Sequence, residues 1–355
     1  MALGGSAAVV PADTGPGHMS IRLYRGGRPE RDVDSPVEAR DAIAAHDGLM
    51  AWIALENPDR SRLMDLAGVF RLPPLALEDS IVAHQRPKGE LYHDILFMVL
   101  RPAGYDEERE AVRIGEVHLF VGRDFVITIT HDDRLDLDAL RRDLEGEPRL
   151  LAHGPLAVLY VTLDRVVDAY APAIASLRED IDEVETQVFS GDPEASRRTY
   201  RLAREVILLQ RAVDPLGALL DELMTSLEHP DPDRPGHLRP HGDRHGGPTL
   251  LRHYLRDVAD HATAVRERVD GFRQLLQNIM SVNSTLIGQS QNEAMKKVSS
   301  WGGILVVPTL ISSIYGMNIA PRPGFGWAFG WPFTLALMAL SSVTLYLVFR
   351  RNGWL

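Results

Sequence analysis

Chemistry in this chain has to proceed without thiolate ligands or sulfur nucleophiles, because the sequence contains no cysteine. Metal or acid–base work therefore falls to histidine, carboxylates and neutral amides. Four histidines, His229, His237, His241 and His245, lie in a Pro/Gly-rich stretch. Imidazole suits zinc, nickel, cobalt or copper better than magnesium, yet their spacing matches no compact site, and a surface loop is the favoured reading. Carboxylates are plentiful, as in Glu179-Asp180-Ile181-Asp182-Glu183-Val184-Glu185, but they show no paired arrangement for acid and base roles. Neither a phosphate-cradling glycine loop nor a Walker lysine is present, so an enzyme is not expected. The sequence Tyr315-Gly316-Met317-Asn318 ends an uncharged run with an amide. An asparagine there either caps a helix or offers its oxygen to a cation and that cation's water shell.

The elements that position these groups divide sharply by composition. With 38 basic against 49 acidic residues the net charge is −11, and no basic face of the kind nucleic acid requires is found. From Val298 to Pro321 no charged residue occurs, and after Arg322 none recurs before Arg350. Each run exceeds the ~20 residues needed to cross a hydrocarbon core, so two transmembrane helices are expected, at about 298–317 and 327–349. Lys296 and Lys297 precede the first and Arg350 and Arg351 follow the second. Basic flanks stay on the cytoplasmic side, which predicts cytoplasmic N- and C-termini and a short external loop from Ile319 to about Gly326. Residues 1–19, rich in Gly, Ala and Pro, read as a disordered lead, and 350–355 as a basic tail.

Between 20 and 154 short apolar runs alternate with helical patterns. Strands are predicted at Met50–Leu55, Ile95–Leu100, Glu116–Val121 and Phe125–Thr130, the last two joined by a turn at Gly122-Arg123-Asp124. Helices are predicted at Arg60–Phe70 and Pro74–Ala83, giving a mixed α/β domain. From about Pro155 to residue 297 the pattern changes to long helices, with Leu156, Leu159, Leu163, Val166, Val167 and Tyr170 at helical spacing. Gly191-Asp192-Pro193 makes a helical hairpin, and 228–248 is an insert. No proline interrupts Thr249 to Val307, so one helix on the order of 100 Å is expected to run into the first span.

Stepping back from Gly316 in this motif at alternating threes and fours gives Ser313, Thr309, Val306, Gly302, Ser299, Met295 and Asn292. That seam is small, polar or of modest bulk, and reads either as a helix-packing interface or as a conduction path. Two spans cannot enclose water, so a path would require several copies about an axis.

At this point the chain resembles the CorA family of magnesium/cobalt transporters. The motif Tyr315-Gly316-Met317-Asn318 resembles that family's signature, and Asn292-Glu293-Ala294-Met295-Lys296 its approach to the first span. Tyr254–His261 resembles its stalk, Leu77-Glu78-Asp79 followed by His84-Gln85-Arg86-Pro87-Lys88 its cytoplasmic domain, and Arg350–Leu355 its basic tail. The resemblance implies a funnel-like fold: an α/β N-terminal cytoplasmic domain, a long-helix stalk and two C-terminal transmembrane helices. It also implies a multi-pass homopentamer in the plasma (inner) membrane, passing Mg2+, with Co2+ and Ni2+ as further cargo.

By the same resemblance Gly316, Met317 and Asn318 form a selectivity filter, and Asn292, Met295, Val306 and Thr309 line the pore, with Met295 in a hydrophobic constriction. Asp79 of one subunit and Asp257 of its neighbour are implied to hold a regulatory divalent ion, with Glu78 and Asp164 close by. Each of these carboxylates also reads as a solvated charge, and Met295 as ordinary packing. Two departures stand out. Ile319-Ala320-Pro321-Arg322-Pro323-Gly324 carries no carboxylate, where the family usually has some, which keeps its zinc-transporting branch and Zn2+ open. The histidine-bearing insert is the other. A non-conducting membrane sensor or scaffold is the competing class.

Overall fold

The computed structural model describes residues 17–83, 85–228, 247–317 and 329–355. The lead up to residue 16, His84, the insert 229–246 with its four histidines, and Asn318 with the loop through residue 328 lie outside the described residues. The described chain forms two compact units, Met1–Gln187 with Arg197–Gln277, and Val188–Ser196 with Asn278–Leu355.

The first unit opens with β1 (Met19–Arg25), β2 (Arg28–Val33), α1 (Pro36–Ala45), β3 (Leu49–Glu56), α2 (Arg60–Phe70) and α3 (Pro74–Val82). It continues through β4 (Lys88–Tyr92), β5 (Ile95–Leu100), β6 (Ala103–Asp106), β7 (Ala111–Ile114), β8 (Val117–Val121) and β9 (Phe125–Thr130). Seven strands form one sheet in the order β2-β1-β3-β9-β8-β5-β4, and β6-β7 is a separate hairpin. Only β3 and β9 pair in parallel; the other neighbours are antiparallel.

The centre of the sheet is buried on both faces, which explains its unbroken apolar runs in place of alternation. Seven of the eight residues of β3 are buried, as is all of β5. The β8–β9 turn closes with the Gly122 N–H donating to the Phe125 carbonyl at 2.9 Å. A Cβ on Gly122 would meet the Phe125 ring at 2.3 Å, so any other residue there would have to displace that ring. Trp52, fully buried, donates from Nε1 to Thr128 Oγ1 at 3.1 Å, and the Arg141 guanidinium lies 5.0 Å from its ring. Helix α2 starts where Asp59 accepts from the Arg62 N–H at 2.8 Å, the side-chain cap that satisfies an orphan donor of the first turn.

Helices follow as α4 (Leu137–Glu145), α5 (Pro148–Leu151), α6 (Pro155–Asp168), α7 (Tyr170–Ser190), α8 (Ala195–Glu228), α9 (Gly247–Gly316) and α10 (Gly330–Arg351). The apolar series predicted from Leu156 to Tyr170 is buried throughout. Arg198 of α8 reaches back to Asp180 and Glu183 of α7 at 2.9 and 2.8 Å, which makes the pair antiparallel. Helix α9 is a single run of 70 residues that continues through Pro308.

In the second unit the C-terminal part of α9 lies beside α10. Both helices are long and apolar enough to cross a membrane, with 11% and 0% of their most apolar windows buried. A soluble core helix would be mostly covered; these leave their apolar side chains outward, as lipid-facing helices do.

Candidate ion path and regulatory carboxylates

Helix α9 offers two distinct faces near its C-terminus. Ser300 is fully buried and Ile304 nearly so, and a Cβ built on Gly303 would lie 3.5 Å from the Phe349 ring of α10. Residues 300, 303 and 304 therefore form the contact with α10. The buried Ser300 hydroxyl donates to the Lys296 carbonyl at 2.7 Å, so it adds no unsatisfied group to that contact.

The predicted seam lies elsewhere on the helix. Asn292, Met295, Ser299, Gly302, Val306, Thr309 and Ser313 are all exposed, with Met295 at 65% and Val306 at 63%. At 100° per residue the centre of this stripe lies roughly 130° from the centre of the α10 contact, and its exposure shows that α10 leaves it uncovered. Thr309 donates its hydroxyl to the Leu305 carbonyl at 2.7 Å; its oxygen keeps acceptor capacity for a hydrated ion. Helix α9 ends at Gly316, with Met317 beyond it 48% exposed. Gly316 is not in the left-handed region and a Cβ there would meet nothing within 4 Å. Among the described residues nothing demands glycine at this point. Asn318 itself lies outside the described residues.

In the first unit the predicted carboxylates separate into two places. Glu78 and Asp79 lie on α3, Glu78 exposed. Asp79 is held by Lys88, whose Nζ donates to Oδ2 at 2.7 Å and to Glu90 Oε1 at 2.9 Å. Burial works against the Lys88 charge, but the hydrogen bonds to Asp79 and Glu90 outweigh it and its pKa is raised. Asp164 on α6 and Asp257 on α9 are brought within mutual influence. Burial, then the charges of Asp168 and Asp257, raise the Asp164 pKa. One turn earlier Tyr160 and Tyr254 stack with centroids 5.0 Å apart, and burial together with Asp164 pushes Tyr160 up to about 12.

Among the described residues no group of three or more His, Asp or Glu side chains could hold a metal. The donors present are carboxylate oxygens, the right type for a hard divalent ion, but the described residues of one chain do not complete a site. Sequence reasoning missed Lys88 as the partner of Asp79, although its cation lies in the same motif. It also missed a buried polar cluster: His118 Nε2 lies 2.7 Å from Glu116 Oε1, and the His118 and His131 rings meet edge to face at 5.2 Å.

A large α/β unit followed by long helices and two exposed apolar helices, the first with an uncovered small-residue seam, is the build of an integral membrane protein with a substantial soluble portion. Residues 47–351 match the sequence model of the CorA-like Mg2+ transporter proteins, and the chain belongs to that family. Over 331 residues it is 27% identical to the cobalt/magnesium transport protein CorA of Thermotoga maritima, covering 91% of this chain and 87% of that one. It is similar in fold to the CorA magnesium transporter of Methanocaldococcus jannaschii, with a TM-score of 0.73 at 18% identity over 95% and 98% of the two chains. The cytoplasmic domain of ZntB from Vibrio parahaemolyticus is similar over 76% of this chain and 99% of its own, with a TM-score of 0.53 at 12% identity. Membership makes the chain a divalent-metal transporter of the CorA type rather than an enzyme.

Proposed function

We propose that this chain is one subunit of a homopentamer that passes Mg2+ through a pore lined by α9, with Co2+ and Ni2+ as further cargo. The observation that carries the reading is the seam from Asn292 to Ser313, exposed in the chain and turned away from α10. It leads to Gly316, Met317 and Asn318, which we assign as the selectivity filter. Asn318 amide oxygens, repeated around an axis, suit an ion that keeps its water shell. Asn292, Met295, Val306 and Thr309 line the path, and a ring of Met295 side chains blocks it by dewetting when closed. Flux is passive, and an inside-negative potential contributes ~2.3 kcal/mol per charge per 100 mV.

The basic flanks Lys296, Lys297, Arg350 and Arg351 support cytoplasmic termini and a plasma (inner) membrane location. We divide the chain into a lead 1–19, an α/β domain 20–154, a stalk 155–297 with the insert 228–248, two spans within 298–349 and a tail 350–355; β1 begins at Met19, at the edge of the lead, and α10 runs Gly330–Arg351, a little beyond the second span. For regulation, we assign Asp79 of one subunit and Asp257 of the next, with Glu78 and Asp164 beside them, to an intracellular Mg2+ that favours the closed assembly. The incomplete donor sets among the described residues of one chain support a site shared between copies.

Reconstituted vesicles loaded with a magnesium-sensitive dye test the pore. Native protein should take up Mg2+, and Asn318→Ala should abolish uptake with oligomer and insertion intact. Equal uptake by both would remove Asn318 from the filter, and no uptake by either would favour the sensor or scaffold reading. A Zn2+ preference is the second reading, supported by the carboxylate-free stretch 319–324; preferential Zn2+ uptake in the same assay selects it.

A further inference from the structure

The geometry points to a binding site for a small phosphate-bearing anion in the first unit, at a cavity of about 360 Å³ where the loop after α3, the end of β5, β7 and α8 meet. Three guanidinium groups line it, those of Arg86, Arg101 and Arg211, and no carboxylate does. In a protein of net charge −11 such a concentration of positive charge is against the trend of the whole surface. The remaining wall is apolar, including Val112, Ile114 and Ala212.

The nearby acids offset this group only in part, since the one carboxylate paired with any of the three arginines is shared with other donors. Glu116 Oε2 is 3.7 Å from Arg101, but Oε1 of the same carboxylate is engaged by His118 at 2.7 Å and by the Gln85 N–H at 3.2 Å. Glu205 of α8 is committed to the Val112 N–H at 2.8 Å. Arg86 and Arg211 are exposed and have no hydrogen-bond or ion-pair partner among the described residues. Arg101 is the fixed member: its side chain is 20% exposed, one Nη donates to the Gln85 carbonyl at 2.6 Å, and its Nε has no acceptor.

Three arginines around one cavity repel one another; with Glu116 beside Arg101 alone, Arg86 and Arg211 remain to be balanced, and together the three present more forked donors than a single carboxylate accepts. Phosphate, with three terminal oxygens and up to two charges, matches that set. The cavity falls in the range of small-ligand sites, with room for an organic body against its apolar wall. The ligand class is therefore a phosphate ester or anhydride. A lipid headgroup carries the same group, so the source needs its own arm of the test.

The full-length protein in detergent, in metal-free buffer of constant ionic strength, is titrated calorimetrically with pyrophosphate and with ADP. Native protein should bind at least one saturably, and the double variant Arg86→Gln/Arg211→Gln should bind it at least tenfold more weakly with an unchanged melting temperature. Both replaced side chains are exposed, so the fold should persist; a single Arg211→Gln variant, expected to lose part of the affinity, covers the case in which the double variant does not fold. Absence of saturable binding to native protein, or equal binding by folded variants, overturns the proposal. Competition against short-chain phosphatidic acid then assigns the source: preference for the lipid places the phosphate in a bilayer, preference for pyrophosphate or ADP places it in solution, and either order upholds the site.

Discussion

Replacing Lys88 with glutamine should make the metal response of this protein more sensitive while making its α/β domain less stable. Lys88 bridges Asp79 and Glu90 at 2.7 and 2.9 Å, and the Lys88 and Asp79 side chains are 29% and 24% exposed. At that exposure an ion pair contributes about 1 kcal/mol, the upper end of the surface range. If Asp79 is a ligand of the regulatory ion, Mg2+ must displace this lysine, and its removal lowers the cost of binding by the same ~1 kcal/mol, a factor of about 5 in affinity. Chymotrypsin protection of the full-length oligomer, followed against Mg2+ concentration, reads the effect. The native midpoint should fall about fivefold in Lys88→Gln, rise in Asp79→Ala, and in the double variant match Asp79→Ala. A lower melting temperature for Lys88→Gln with an unmoved midpoint would refute the reasoning and reduce Asp79 to a structural partner of Lys88.

Three further outcomes test other parts of the structure. Burial, reinforced by His118, holds His131 below its ordinary value of 6.5, so the unfolded chain takes up this proton first and stability should fall as pH drops below about 6.5; His131→Gln should flatten the slope of melting temperature between pH 7 and 5.5. Gly303→Leu drives a side chain into the Phe349 ring, 3.5 Å from the Cβ position, and overpacking of this kind should cost about 1–3 kcal/mol, seen as loss of oligomer on heating in detergent, whereas Gly303→Ala should be tolerated. Met295→Ser wets the proposed constriction and should raise vesicle Mg2+ leak under closing conditions, with no change expected if Met295 only packs.

How far the fold could be read in advance depends on where each strand sits. The strands β3, β5, β8 and β9 are buried on both faces, and burial writes itself into a sequence as an apolar run. The edge strand β2, Arg-Pro-Glu-Arg-Asp-Val, has five of its six residues exposed, and its charges guard the sheet edge while erasing the strand signal. Strands β6 and β7 are four residues each, too short for periodicity, and are anchored by long-range contacts such as Tyr105 with Asp180. The seam on α9 was legible because helical spacing alone determines which residues share a face. That α10 leaves this face open was not, since only packing at Ser300, Gly303 and Ile304 decides it. The Asp79–Lys88 pair and the Glu116–His118–His131 cluster were hidden for the same reason: a charge read along the chain carries no sign of its partner in space.

The open face of α9 has a genetic consequence. If every subunit contributes one copy of the same stripe to a shared path, a defective residue on it is not diluted by sound copies but built in among them. In a cell making both native and Asn318→Ala chains, assemblies free of the defect become rarer as a power of the number of subunits. A lesion on the seam should therefore behave as dominant when co-expressed, whereas one that prevents the α/β domain from folding should be recessive.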